Sequence, residues 1–321
     1  MTSSKALHVA THSGWYRFEK SGGNLKEVDR ALTYWTLSCL AVDPGNPQTV
    51  YAGTDHSGLF FSHDGGASWM RASPGIPNLN LFSLLALPGT VLVGTRPAAL
   101  YRGTPGGDWE ELEGVRRGSA GGVFPPNPEL SPRTRYLAQD PSLPTRLYAG
   151  IEVGGLLVSD DEGESWEPAN EGLTDPDVHQ LCHCSHNPEL VFAACGEGVF
   201  RSVDRASHWA EVTPHGSRTY GTTITETAAG TVYLGISVGR PNTWLGAERA
   251  NSAIIQSREG GLDWKVTAEG LRGGIMDTIS DPDGDGIIAA TSEGELLALE
   301  GSESRTLVSG LPCISAIAFG D

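Results

Sequence analysis

Three stretches of this chain are near copies of one another, and that self-similarity limits its architecture more than any other feature. Residues 37–73 read LSCLAVDPGNPQTVYAGTDHSGLFFSHDGGASWMRAS, residues 135–170 read RYLAQDPSLPTRLYAGIEVGGLLVSDDEGESWEPAN, and residues 178–212 read VHQLCHCSHNPELVFAACGEGVFRSVDRASHWAEV. Each passes through a β-type run, a Pro-containing turn, a second run with a Val/Leu–Tyr/Phe–Ala step, and a Gly-containing turn. A third run, an Asp-containing turn and a last strand opened by Trp complete it. Weaker copies occupy 81–113, 219–267 and 276–308.

Four short strands recurring at roughly 40–46 residues match the blade of a β-propeller. Alternation within each run suits strands packed face to face between neighbouring blades. The N-terminal ALHVATHSGWYRFEKSGGNLKEV supplies three strands, and CISAIAFG near the C-terminus supplies one. Joined, they complete a seventh unit and leave no terminal sheet edge unpaired. The expected fold is therefore all-β: a single seven-bladed β-propeller domain over residues 1–321, its last blade closed by N-terminal and C-terminal strands.

The Asp-containing turn explains where most of the tryptophan goes. Trp69, Trp109, Trp166, Trp209 and Trp264, five of the eight in the chain, stand at this position. Asp64, Asp160–Asp161 and Asp204 can accept hydrogen bonds from amides of their own turn, and Gly65 and Gly66 permit positive φ. A Trp tucked between blades buries a large apolar surface. Such concentration at one repeated position points to fold construction, not substrate recognition.

SHDGGASW (62–69) and SDDEGESW (159–166) resemble the Asp-box, or BNR repeat, Ser-x-Asp-x-Gly-x-x-Trp. That repeat occurs in sialidases, xyloglucan-degrading glycosidases, the sortilin receptor domain and a photosystem II assembly factor. The element DPGNPQTVYAGT is closest to the repeats of the xyloglucan enzymes and the assembly factor. The resemblance covers nearly the whole chain and implies the propeller fold. It implies little about activity, because these proteins do unrelated things. Thr104 and Glu259 stand where the Asp is expected, and the turns near Ser21 and Ser302 lack the motif.

The charge balance of 22 basic against 39 acidic residues, a net −17, argues against nucleic acid and against anionic membrane surfaces. No apolar run approaches the roughly 20 residues that span a bilayer. His8 and His12 interrupt any secretory core near the start, so a cytoplasmic monomer is expected. Cys39, Cys182, Cys184, Cys195 and Cys313 show no disulfide spacing and read as buried free thiols.

In a propeller the loops joining second to third strands, and each blade to the next, share the funnel face; the Asp turns lie opposite. Aligned copies put His12, His56, Arg96, Glu152, Glu197, Arg240 and Glu293 on funnel loops. Tyr34, Trp35, Arg135, Tyr136, His179, Arg218, Tyr220 and Asp277 fall on connecting segments. Two insertions, 116–133 and 237–252, also fall on this face, where long loops often serve function. The candidate catalytic residues are His12, His56, Glu152, His179 and Tyr220. The candidate ligand-binding residues are Trp35, Arg96, Arg135, Arg218, Arg240, Trp244 and Asp277, with Trp35, Trp244 and Tyr220 exposed for sugar stacking.

His12 and His56 both precede Ser-Gly in adjacent blades. With His179 and Glu152 they could hold a divalent metal or move protons; the plainer alternative has each capping its own turn. In DPDGDG, Asp281, Asp283 and Asp285 follow calcium-loop spacing, but Ser292 stands where a calcium loop has Glu, so an acidic turn is the competing reading. No cofactor is specified beyond that metal option. A sialidase arginine triad is not recognisable, and no carboxylate pair is defined by spacing. The partner is either a small polar or sugar-like ligand in the funnel, with glycoside hydrolase-like or lyase turnover left open, or a protein docked on a non-catalytic scaffold.

Overall fold

Residues 5–72, 74–120, 131–214, 216–244 and 250–320 are described by a computed structural model of the protein. Seven four-stranded antiparallel sheets account for almost all of its secondary structure. Six are consecutive in sequence, with innermost strands Leu37–Asp43, Leu81–Leu87, Arg133–Gln139, Val178–Cys184, Tyr220–Glu226 and Ile275–Ser280. These open blades 1 to 6. Blade 7 takes its innermost strand, Ile314–Gly320, from the C-terminal end and adds Ala6–Thr11, Gly14–Ser21 and Asn24–Ala31. Ala6 pairs with Gly320 and Val9 with Ile317, as the split repeat predicts.

The apolar alternation within strands becomes a ring of separate cores. Among the described residues seven hydrophobic clusters are present, one between each pair of neighbouring blades. Val91, Val93 and Tyr101 of blade 2, for example, meet Tyr51, Leu59 and Phe61 of blade 1. The seventh cluster, Ala10 and Trp15 against Leu37 and Ala52, seals blade 7 to blade 1.

The Asp turns repeat one geometry. In blade 1, Ser62 Oγ donates to Asp64 Oδ1 (2.7 Å) and accepts from the Gly66 amide (2.8 Å), while the Ser68 amide donates to Asp64 Oδ1 (2.8 Å). Blade 3 does the same through Ser159, Asp161 and Gly163, and blade 4 through Ser202, Asp204 and Ala206. Gly66 has φ +98°, and a Cβ there would stand 2.0 Å from the Trp15 ring of blade 7. In blade 5 the aligned Glu259 does not take the Asp role. Asp263 does: its Oδ1 accepts from Ser257 Oγ (2.8 Å) and from the Glu259 amide (3.2 Å).

The tryptophans fasten blade to blade. Nε1 of Trp109 donates to Ala72 O (3.0 Å), that of Trp209 to Ala169 O (2.9 Å), and that of Trp264 to Val212 O (3.0 Å), each on the preceding blade. Trp166 and Trp209 are buried; Trp69, Trp109 and Trp264 are half-buried, because the turns lie at the outer rim. Cys39, Cys182, Cys184 and Cys195 are buried free thiols and Cys313 is a half-buried one. No helix among the described residues is long and apolar enough to cross a membrane.

Candidate functional site

Each innermost strand starts at the funnel mouth, so its first residues face the opening. In blades 1, 2, 5, 6 and 7 the residues flanking the inward position there are uncharged: Thr36 and Ser38, Asn80 and Phe82, Tyr220 and Thr222, Gly274 and Met276, Cys313 and Ser315. Blades 3 and 4 differ. Blade 3 carries Arg133 and Arg135 around Thr134, and blade 4 carries Asp177 and His179 around Val178.

These four side chains meet Glu152, which ends the second strand of blade 3 opposite Arg133. The Arg133 guanidinium grips Glu152 with both arms, Nε to Oε2 at 2.6 Å and Nη2 to Oε1; Arg135 Nε stands 3.6 Å from Oε2. Burial alone would push the Glu152 carboxyl up, but Arg133 and Arg135 outweigh it and hold it below the usual range. Asp177 behaves alike. Burial raises it, but His179, the Val153 amide (3.1 Å to Oδ1) and Arg240 bring it below its ordinary value. Gly196 makes room for that carboxylate, since a Cβ would come within 2.7 Å of Oδ2.

His179 is 5% exposed and its tautomer is set by the backbone. Nδ1 lies 2.6 Å from Gly221 O, a contact that requires an N–H there. Nε2 faces the pocket, 3.2 Å from the Tyr220 hydroxyl and 3.7 Å from Asp177 Oδ1. Tyr220 is buried at 6% exposure, not exposed as expected, because it packs against the His179 ring and under Trp244. Burial, with Glu152 and Asp177 adding to it, raises its phenol pKa and keeps the proton in place. The donor atoms of Glu152, Asp177 and His179 all lie within 4.8 Å of one another, and no other such trio occurs among the described residues.

A pocket of about 50 Å³ opens on this cluster, walled by Trp244 and Pro241 of the second-to-third loop of blade 5. Trp244 stands edge-on to Tyr220 (6.0 Å) and lies where a side chain on Gly274 would be. Arg135, His179, Thr222 and Met276 also line the adjoining central channel of about 130 Å³, which reaches Asp277 and Gln180. Asp277 is half-buried in that channel. Burial pushes its carboxyl up to about 6 although it accepts from the amides of Ile317 (2.9 Å) and Thr278 (2.9 Å).

Of the residues singled out from sequence, Glu152, His179, Tyr220, Arg135 and Trp244 come together here, with Asp277 in the channel beside them. Arg240 is exposed and acts on Asp177 through charge. His12 and His56 sit in exposed turns outside both linings; His56 Nε2 is 3.1 Å from Asp55. Trp35 is half-buried on Phe60 (4.9 Å), and Arg218 ties Asn251 to Glu269. Arg96 lies on its own loop, where its amide donates to Asn80 O (3.0 Å). Asp281 and Asp283 pair with the buried Lys20 ammonium of blade 7 (2.9 Å to Asp283), and Asp285 is exposed. The insertion 116–133 lies outside the described residues at 121–130, as does 237–252 at 245–249.

No protein-family model matches the chain, and no curated protein matches it in sequence. Solved structures do. A putative 6-phosphogluconolactonase from Bacteroides fragilis matches at TM-score 0.70 and 12% identity, over 100% of this chain and 99% of its own. An ancestral GH74 enzyme matches at TM-score 0.65 and 15% identity over 98% of this chain, which spans only 39% of that enzyme. YCF48 from Cyanidioschyzon merolae matches at TM-score 0.59 and 14% identity, over 95% and 90%. At such identities the likeness is one of fold.

Proposed function

We propose that the pocket between blades 3, 4 and 5 binds a small polar, sugar-like molecule, and that the recurring turns are BNR/Asp-box repeats serving as the frame. One observation carries this reading. Charged residues flank the strand start in two adjacent blades only; Arg133, Arg135 and His179 line one pocket with Glu152, Tyr220 and Trp244, and Asp177 stands 3.7 Å from His179 Nε2. A repeat that keeps uncharged residues at five of seven equivalent places has no structural need for Arg, Arg, Asp and His at the other two. Arg135 offers guanidinium donors, the Tyr220 hydroxyl can turn toward a ligand oxygen, and the Trp244 face suits a sugar ring. The structural neighbours include glycoside hydrolases and a lactonase-like propeller, which is compatible with such a ligand.

A docking surface for a protein is the competing reading, favoured by Tyr34, which is 92% exposed beside Trp35. The deciding experiment is titration of the protein with neutral hexoses, hexuronates and aldonolactones, followed by tryptophan fluorescence and thermal shift. Saturable quenching that vanishes in Trp244→Phe and in Arg135→Ala, with melting unchanged, supports the pocket. The absence of any saturable response across the series favours docking.

A further inference from the structure

We infer that Glu152, Asp177 and His179 form a binding site for one divalent transition-metal ion of the Mn²⁺ or Zn²⁺ type at the back of this pocket. The inference rests on the same pocket as the proposed function but adds a component that can be measured without any sugar.

Three features carry it. First, the three donor groups come from separate elements: the end of the second strand of blade 3, the connector into blade 4, and the innermost strand of blade 4. Their ligand atoms gather within 4.8 Å. Two groups each about 2.1 Å from a shared ion stand roughly 3 to 4.2 Å apart. The 3.7 Å between His179 Nε2 and Asp177 Oδ1 falls in that interval, too long for a hydrogen bond and right for two ligands.

Second, the imidazole is prepared as metal-binding histidines are. Its Nδ1–H is spent on the Gly221 carbonyl at 2.6 Å, and the ring is buried, so Nε2 is the nitrogen that faces the site, where an ion would displace its contact with the Tyr220 hydroxyl at 3.2 Å. Third, each carboxylate is oriented by an outer partner and keeps lone pairs to spare. Asp177 Oδ1 is held by the Val153 amide at 3.1 Å, and Glu152 by the Arg133 fork. An ionised carboxylate has about four acceptor sites, so the fork leaves two.

The two carboxylates supply anionic oxygen donors, although Arg133 and Arg135 already counter the charge of Glu152. One imidazole with two oxygens suits Mn²⁺ or Zn²⁺ better than Mg²⁺ or Ca²⁺, which prefer all-oxygen sites. The ion's remaining positions would face the Trp244 side of the pocket. The ligand class then narrows to sugars and hydroxy acids that offer two neighbouring oxygen donors.

The test is titration of metal-stripped protein with MnCl₂ and, separately, ZnCl₂, followed by calorimetry, with electron paramagnetic resonance for manganese. The expected result is one ion per chain, with nitrogen hyperfine coupling from a single imidazole in the manganese complex. Binding is lost in Glu152→Gln, Asp177→Asn and His179→Gln, and retained in Asp283→Asn on the remote acidic turn. Wild-type protein that binds neither ion, or that binds manganese without nitrogen coupling, overturns the inference, and neither result depends on a variant folding. Sugar binding that persists in stripped, metal-free protein would leave the proposed function standing while removing the ion from it.

Discussion

The two faces of the ring differ in how their chemistry is organised. On the face of the Asp turns, the same carboxylate and hydroxyl pairing recurs in blades 1, 3 and 4, and each carboxylate is consumed by its own loop. On the funnel face, blades 3 and 4 depart from the repeat, and their charged groups turn toward one another across a blade boundary. Repetition in this molecule marks construction; departure from it marks the candidate site. The contrast predicts that changes on the face of the Asp turns alter stability and leave ligand and metal binding alone, while changes at the site alter binding.

The largest effect is expected from Trp209→Ala. It empties a buried space between blades 3 and 4 and breaks the indole bond to Ala169, so urea unfolding should show a loss of about 3–5 kcal/mol. Metal binding should be unchanged; a matching loss of binding would erase the distinction between the faces.

Acid should destabilise the frame next. Burial holds His8 and His183 down at about 4; Arg17 adds to this at His8, while Asp140 opposes it and Arg146 and Arg205 add to it at His183. For a depressed imidazole, stability is full above the unfolded value near 6.5 and is lost as pH falls toward 4. Each contributes about 3 kcal/mol over that interval. Asp277 works the other way: its raised carboxyl takes up a proton between 6 and 3.8 and returns about 3 kcal/mol. The net loss is about 3 kcal/mol, and urea midpoints measured across that range should show it. His183→Gln should flatten the slope.

Removing Arg133 sharpens the comparison from the other side. Arg133→Ala leaves Glu152 partly buried without its fork. A stability loss of about 1–3 kcal/mol is expected, with sugar quenching weakened as well, because Glu152 loses its orientation. Smallest is the test within the blade 5 turn. Asp263→Asn should lower the melting temperature slightly and Glu259→Gln should not, although Glu259 is the residue that aligns with Asp64. Calorimetric scans of the two variants would decide it.

The ring itself was readable from sequence because a period repeats the same physical instruction many times: strand, Pro turn, Ala-containing strand, Asp turn, Trp. Even the split seventh blade followed from counting strands at the two ends. The turn of blade 5 was less legible, since its carboxylate moved from the third to the seventh position of the motif and a hydrogen bond to Ser257 works from either. At the site, Glu152, His179, Tyr220, Arg135 and Trp244 were found by loop alignment, while Arg133 and Asp177 were missed. Arg133 sat at the end of what read as an insertion, and Asp177 in a connector before the strand. The available signal was the spacing Arg-x-Arg and Asp-x-His, each around one buried residue at a strand start. His12 and His56 drew notice because they repeat, and in this fold repetition is a mark of the frame.

Blade 7 has a consequence for how the protein can be made and remade. Six sheets can form in order as the chain emerges, but the first strands must wait for Ile314–Gly320 before their sheet is complete. With Ala6 hydrogen-bonded alongside Gly320, the polypeptide is nearly a circle that has been cut once. A short fusion of the old termini, with a new opening in another inter-blade connector, should give a circular permutant that keeps all seven sheets and moves the last strand to be synthesised elsewhere on the ring.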